Sequence, residues 1–220
     1  MELDARGAVL TLAGRDERRL GEVPVAAQRI TGDLRDPAVC AMAVSVAAAS
    51  EGLDILINAV GSVAFGPVWE VAPEVVRELL EVNALVPILL ASAALPRMRQ
   101  GGAIVNISGV IAERPLPNMT AYSAAKGAVR AFDMALAREA RRRGVRVIDA
   151  RPPHTETGLA RRPLAGEAPA LAKGLAPERV AQVIVRALET GLDDLPSAAF
   201  HEPPQAPQAA PVGVAPRTTP

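Results

Sequence analysis

Cysteine, net charge and long apolar runs are what this sequence has least of. Cys40 is the only cysteine in 220 residues, which excludes an intramolecular disulfide framework and makes a reducing compartment the default. No stretch of about 18 uncharged apolar residues occurs, and the N-terminus lacks the basic-then-apolar pattern of a signal peptide. These absences predict a cytoplasmic protein without a membrane partner, in which Cys40 is a small buried hydrophobe.

The charges of opposite sign cancel, with 24 Lys and Arg against 24 Asp and Glu. A chain without net charge has no long-range field to attract nucleic acid, so this partner is not expected. One basic run ends a predicted helix, where cations suit the negative end of the helix dipole, and we interpret it as a solvated face. It comprises Arg138, Arg141, Arg142, Arg143 and Arg146. No metal site is predicted.

Length and composition predict one domain. About half of the residues are apolar, and a chain of this size can bury most of its surface in a single core. We assign this domain to residues 1–200. Residues 201–220 hold six prolines and show no periodicity, which predicts a disordered tail.

Short apolar runs alternate with longer amphipathic segments along the chain. The runs predict strands at 8–13, 26–30, 53–58, 102–108 and 145–150, and the segments predict helices at 36–50, 73–98, 118–143 and 177–190. Strands that are apolar throughout are typical of sheets covered on both faces. The pattern predicts an α/β fold with a doubly wound, mostly parallel sheet.

The sole tyrosine lies four residues before a lysine on one predicted helix, as Tyr122 and Lys126. Residues at this spacing share a helical face. A nearby cation lowers the pKa of a phenol, which otherwise lies at about 10, and such a pair can perform general acid/base chemistry. The alternative is an exposed Tyr and Lys on an Ala-rich helix.

From about residue 5 to about residue 198, the series of motifs resembles the short-chain dehydrogenase/reductase family. The motifs come in family order: residues 54–61, Val82-Asn83, residues 102–108, the Tyr122/Lys126 pair and residues 151–157. The resemblance implies a Rossmann-like fold and an NAD(P)-dependent oxidoreductase that moves hydride between a nicotinamide and a small carbonyl or alcohol substrate. It also implies a homo-oligomer, a dimer or tetramer, that assembles through the Tyr122 helix and the helix before it.

The resemblance assigns the catalytic roles. Tyr122 protonates the forming alkoxide, while Lys126 lowers the tyrosine pKa and binds the nicotinamide ribose. Asn83 holds, through its backbone carbonyl, a water that leads to the lysine. Pro87 supports this role physically, because it offers no N–H to the carbonyl four residues earlier and clashes with it; an ordinary kink in a packed helix is the alternative.

The catalytic serine of the family falls, by ungapped counting from Tyr122, on Gly109 rather than on Ser108. Neighbouring side chains of a strand point to opposite faces. Ser108 can therefore substitute only if the strand end twists or bulges, which the adjacent glycine permits. We assign Ser108 as the catalytic serine on this condition.

Further residues match the cofactor-binding positions of the family. Arg15 follows the first strand and favours NADP over NAD, because an arginine suits a 2′-phosphate; alternatively it begins an exposed helix. Asp33 and Leu34 match the pair that contacts adenine, although Asp33 is equally suited to cap the next helix. Asn58 and Gly61 end the third strand at the cofactor. Thr157 either contacts the nicotinamide or caps a short helix.

Family members begin with a strand and a Gly-rich turn that binds the cofactor pyrophosphate. This sequence starts inside the helix that follows them, which Gly7 closes. We expect the two strands beside the missing one to keep unpaired backbone groups or to close up, and we expect Met1 to be an internal methionine. The alternative function is a non-catalytic or truncated relative that dimerises without binding dinucleotide.

Overall fold

The structure is a computed structural model that describes residues 1–49 and 51–201. Its strands are Leu10–Gly14 (β1), Ala27–Thr31 (β2), Leu53–Asn58 (β3), Met98–Ile107 (β4), Arg146–Ala150 (β5) and Asp194–Leu195 (β6). Its α-helices are Glu17–Gly21 (α1), Pro37–Ala47 (α2), Pro73–Leu80 (α3), Val86–Ala94 (α4), Thr120–Ala140 (α5) and Pro177–Thr190 (α6). The predicted tail lies, beyond His201, outside the described residues.

The strands form two parallel sheets and confirm the α/β Rossmann-like fold. One sheet has two strands, β1 and β2, and the other has the order β3-β4-β5-β6. Throughout the described residues, β1 pairs only with β2, and β3 pairs only with β4 on one side. Of the two arrangements expected for β1 and β3, the described residues therefore show unpaired edges rather than closure.

The layer of helices α2 and α4 connects the two sheets. A core cluster of Cys40, Val44 and Leu90 contacts Ala13 of β1 and Leu56 of β3. Both strands thus pack on the same layer of helices although they share no hydrogen bonds with each other. Cys40 is buried, as expected for a small hydrophobe.

The second sheet carries the most deeply buried strands because helices cover both of its faces. Ile104 of β4 packs against Leu136 of α5 on one face. Ile148 of β5 packs against Val183 and Ile184 of α6 on the other. Burying each such aliphatic side chain contributes about 1.5–3 kcal/mol.

A long helix runs from Pro73 to Arg97 and changes its winding in the middle. Residues Glu81–Leu85 form a π-helical turn between α3 and α4. Pro87 lies four residues after Asn83 and supplies no N–H there, which explains the local widening. Among the described residues this is the one helix long and apolar enough to cross a membrane, and Ala91 and Ala94 on it are fully buried in the core. The cytoplasmic location stays a prediction.

The carboxyl ends of β3, β4 and β5 meet at one edge of the second sheet, because these strands are parallel and in register. The segments that leave these ends, together with the start of α5, surround the space beyond this edge. This is where open α/β sheets bind ligands.

Candidate active site

A cavity of about 490 Å³ opens at this edge of the sheet. Tyr122 and Lys126 of α5, Gly61 after β3, Ser108 after β4 and Thr157 after β5 all line it. Apolar side chains form most of the remaining wall. No Asp or Glu of the described residues lines the cavity, whereas Arg19, Lys126 and Arg162 do. The site therefore favours an anionic ligand.

Lys126 is buried at the start of α5, and its Nζ donates to the backbone carbonyl of Ile107 at 2.7 Å. Burial lowers the pKa of this lysine to about 8, against an opposing effect of the Asp149 charge. Burial also raises the pKa of Tyr122 to about 12. Desolvation thus dominates the net pKa of the tyrosine, and the ammonium is directed at Ile107. The expectation that the charge of Lys126 lowers this pKa stays a prediction.

Asn83 is fully buried, and its side-chain amide fastens the segment after β3 to the long helix. Its Oδ1 accepts from Ser62 N at 3.1 Å, and its Nδ2 donates to Ser62 O at 3.0 Å and to Leu79 O at 2.9 Å. A Cβ placed on Gly61 would lie 3.2 Å from Asn83 Oδ1 and 3.9 Å from Lys126 Nζ. The fold thus brings Asn83, Gly61 and Lys126 together, and only glycine leaves this space open.

Ser108 is fully buried, and its hydroxyl donates to the Asp149 carboxylate. A serine has one hydroxyl proton, so in this arrangement none remains for a substrate carbonyl. Gly109 has a φ of 90°, and a Cβ there would meet only Pro152 O, at 3.8 Å. The position where the family has its serine, Gly109, therefore borders open space. The assignment of Ser108 as the catalytic serine stays a prediction, and its hydrogen bond to Asp149 argues against it.

The partner of Ser108 belongs to a buried ionic network that sequence reasoning missed. Arg151 donates to Asp149, to Glu113 Oε1 at 2.6 Å and to Asp194 Oδ1 at 2.6 Å. Glu113 accepts in turn from the Ser197 hydroxyl at 2.8 Å. These carboxylates raise the pKa of Arg151, although burial acts against them. The network thus holds Arg151 in place, directly before the segment 152–157 that lines the cavity.

A second buried polar chain crosses the sheet below the cavity. Asn58 Nδ2 donates to Asn106, and Asn106 Nδ2 donates to Asp133 of α5. Burial raises the pKa of Asp133 to about 7, against the lowering effect of its bond from Asn106. Within the described part of the chain, Asn58 Oδ1 and Asp133 Oδ2 are buried without a hydrogen-bond partner.

Comparison with known proteins decides the family. The sequence profile described as short chain dehydrogenase matches residues 1–167. The chain belongs to the short-chain dehydrogenase family.

Three members of this family illustrate the similarity. The chain is 32% identical over 207 residues to dehydrogenase/reductase SDR family member 7B of Bos taurus, covering 84% of this chain and 64% of that protein. It is 36% identical over 148 residues to inactive 2-(S)-hydroxypropyl-CoM dehydrogenase 2 of Xanthobacter autotrophicus, covering 64% of each. A Burkholderia cenocepacia short chain dehydrogenase solved with NADP superimposes with a TM-score of 0.77 at 28% identity, covering 88% of this chain and 79% of that one. The chain thus spans less than two thirds of the length of the two curated relatives.

The structure does not bring to the cavity every residue that was predicted to bind cofactor. Leu34 is buried in the core beside Cys40. Asp33 pairs with Arg35 at 2.5 Å, and the hydrogen bonds from Arg35 lower the pKa of Asp33 to about 2. The interpretation of Asp33 as a helix cap is wrong, because Asp36 caps α2 by accepting from Ala38 N at 2.8 Å.

Arg15 is also placed outside the cavity wall. It is exposed and lies 3.8 Å from Glu78 of α3. Arg19, one turn further along the chain, lines the cavity instead, and sequence reasoning missed it because nothing in the exposed pattern of α1 distinguishes it from Arg18. Thr157 lines the cavity and also accepts from Leu159 N at 3.4 Å, a distance that makes it a weak cap.

Proposed function

We propose that this chain is an NADP-dependent reductase or dehydrogenase, which transfers hydride between a nicotinamide and a small carbonyl or alcohol substrate. The observation that carries the proposal is the meeting of Tyr122 and Lys126 at one cavity at the carboxyl ends of β3, β4 and β5. Buried Asn83 lies directly behind Gly61 in the wall of this cavity. Membership of an oxidoreductase family supports it.

The residues of the cavity fit the nicotinamide half of the cofactor. Glycine at positions 61 and 109 leaves room for a ring beside Lys126, and the wall carries no carboxylate among the described residues that would repel phosphates. In this proposal Lys126 and Tyr122 hold the nicotinamide ribose, and Gly61 and Thr157 lie along the cofactor. Asn58, also predicted at the cofactor, does not line the cavity and is buried in its bond to Asn106. When bound, the nicotinamide supplies or accepts the hydride.

Tyr122 acts as the proton donor for carbonyl reduction. Its pKa of about 12 keeps the phenol protonated at neutral pH, which is the form that a general acid needs. Lys126 carries a positive charge near neutrality, since its pKa is about 8. This charge stabilises the tyrosinate that remains after the proton has left. A water held by the Asn83 backbone carbonyl would return the proton to Tyr122 by way of Lys126.

The preference for NADP is supported by basic residues near the first strand. Arg15 and Arg19 lie on the segment that follows β1, and cations there suit a 2′-phosphate. The Burkholderia relative was solved with NADP. Binding of NAD should be measured beside that of NADP.

Substitution of Tyr122 by Phe tests the proposal. We expect this variant to abolish NADPH-dependent reduction of a carbonyl substrate, because the proton donor is removed. NADPH binding should weaken by less than about tenfold, because a single hydrogen bond to the ribose is lost. Ser108→Ala should lower kcat by less than about tenfold, since the Ser108 hydroxyl is occupied by Asp149; loss of a donor that touches the reacting carbonyl costs about 10²–10³. Undiminished turnover by Tyr122→Phe would refute the catalytic assignment.

A second candidate function is a non-catalytic relative that dimerises without binding dinucleotide. Similarity to a relative that is named inactive favours it. Fluorescence titration with NADPH separates the two functions. Binding that is lost on Lys126→Met supports the reductase, and absence of binding by the parent protein supports the alternative.

We also propose a homo-oligomer that assembles through the long helix and α5. These helices pack side by side and expose Leu80, Leu85 and Met134, whose exposed fractions are 42%, 41% and 63%. Light scattering should give at least a dimer mass, and replacing Leu80 and Met134 with Glu should give a monomer. The same replacement at exposed Leu192 is the control.

A further inference from the structure

We call the segment 155–175 the lid. The lid and two other segments place apolar side chains on the wall of the cavity. Side chains from three separate segments form it: Phe65, Ile111, Leu116, Met119, Leu159 and Leu171. An apolar wall of this kind suits a hydrocarbon body rather than a sugar or another polyhydroxylated compound.

Backbone hydrogen bonds hold the lid in one position over the cavity. Leu164 N donates to Val63 O at 2.8 Å, and Phe65 N donates to Ala165 O at 2.9 Å. Gly166 has a φ of 68°, and a Cβ there would lie 2.1 Å from Phe65 O, so this close contact requires glycine. Arg162, two residues before Leu164, is therefore presented at the cavity by an anchored segment.

Arg162 is the cation of this lid that lines the cavity. Its Nε donates to Gly158 O at 3.1 Å. Among residues 1–49 and 51–201, no carboxylate lies within 4 Å of its guanidinium, whereas the neighbouring Arg161 lies 3.9 Å from Glu156 and does not line the cavity. An arginine with free terminal nitrogens at the edge of an apolar pocket binds carboxylates well, because its planar fork matches the two oxygens.

We propose that the substrate is an oxo acid or hydroxy acid, with a carbonyl or alcohol at Tyr122, an apolar body against the lid wall and a carboxylate bound by Arg162. This inference rests on the proposed reductase function. It adds a substrate class that fold and family leave open. Arg162 is exposed, so a carboxylate bound in this way should favour the acid over its neutral ester by about fivefold.

The test compares 5-oxodecanoate with its methyl ester, which share the carbonyl and the chain but differ in charge. Reduction by NADPH is measured for the parent protein, Arg162→Ala and the matched control Arg161→Ala. We expect kcat/KM to favour the acid about fivefold in the parent protein and in Arg161→Ala. Arg162→Ala should lose this preference, because its kcat/KM falls more on the acid than on the ester, and its KM for NADPH should not rise.

Three results would overturn the inference: no preference for the acid in the parent protein, equal effects of the two arginine substitutions, or a raised KM for NADPH in Arg162→Ala with an unchanged preference. The last would assign Arg162 to the cofactor phosphates. Equilibrium dialysis of 5-oxodecanoate without turnover keeps the two proposals separate. Binding that depends on Arg162 but is followed by no NADPH oxidation supports the acid site and contradicts the reductase; absence of binding by the parent contradicts the acid site.

Discussion

The two sheets of this protein differ in how completely their strands are enclosed. In β4 and β5 almost every residue from Gly102 onward is buried, because each strand has neighbours on both sides and helices on both faces. In β1 and β2 no residue is fully buried, and the adjacent α1 has only five residues. Burial of apolar area is the main source of stability, so the larger sheet holds the site in place while the smaller sheet depends on its contact with α2 and α4.

Removing Arg151 from the buried ionic network should destabilise the larger sheet more than any other substitution proposed below. Arg151→Met leaves Asp149 and Glu113 as uncompensated charges in the interior of the larger sheet. We expect the free energy of unfolding in urea to fall by about 3–5 kcal/mol. Arg146→Met, which removes a partly exposed arginine paired with Asp193 at 3.2 Å, should cost about 1 kcal/mol. Equal losses would show that the network contributes no more than a surface pair.

The second largest expected effect is a pH dependence of the stability that comes from Asp133, which packs beside the larger sheet. Its folded pKa of about 7 lies above the unfolded value of about 4, so the folded state holds the proton more tightly. The resulting stability is present below about pH 4 and is lost as the pH rises through about 7.

Asp133→Asn removes this titration. Between pH 5 and pH 8 the free energy of unfolding of the parent protein should decrease because of this carboxyl, and that of the variant should not. We expect the two decreases to differ by on the order of 3 kcal/mol. Thermal unfolding across this range measures the slope. The exposed Asp54→Asn serves as the control, and a parental slope in Asp133→Asn would contradict the assignment of the buried carboxyl.

A substitution at Arg29 should have a smaller effect on stability, confined to the sheet of β1 and β2. The Arg29 guanidinium donates to the carbonyls of Leu20, Val23, Val25 and Ala27, at 2.9–3.1 Å. Arg29→Ala should cost about 1 kcal/mol and raise hydrogen exchange in β1 and β2 alone. In the parent protein these strands should already exchange about tenfold faster than β4 and β5. Faster exchange in β4 of the variant would mean that the two sheets unfold together.

The smallest effect concerns the cofactor at the edge of the smaller sheet. Arg15 is exposed, so we expect Arg15→Ala to weaken NADPH about fivefold and to leave NADH unchanged, because an exposed charge pair contributes little. Fluorescence titration gives both dissociation constants. Arg18→Ala, at a neighbouring exposed arginine of α1, is the control, and equal weakening of NADPH and NADH by Arg15→Ala would argue against a role in selecting the phosphate.

Among the described residues, the sequence by itself determined the kind and order of β1 to β5 and of the long helices, but it did not predict β6. Hydrophobic periodicity and flanking Pro and Gly are local signals, and they predicted β3 and α6 at their observed bounds. The position of Pro87 predicted the disturbed helix at Asn83, and the spacing of Tyr122 and Lys126 predicted their shared face. These features depend on residues within a few positions of each other, so composition and spacing suffice.

Only the tertiary structure decided which distant groups meet and how deeply they are buried. The bond from Ser108 to Asp149 joins residues 41 positions apart, and Arg151 finds Glu113 and Asp194 across similar separations. The pKa of Tyr122 rose instead of falling because desolvation exceeds the effect of a lysine that is directed at a backbone carbonyl. Arg162 reaches the cavity because backbone bonds to Val63 and Phe65 anchor the lid. Contacts of this range depend on the packed fold, and the order of residues does not encode them locally.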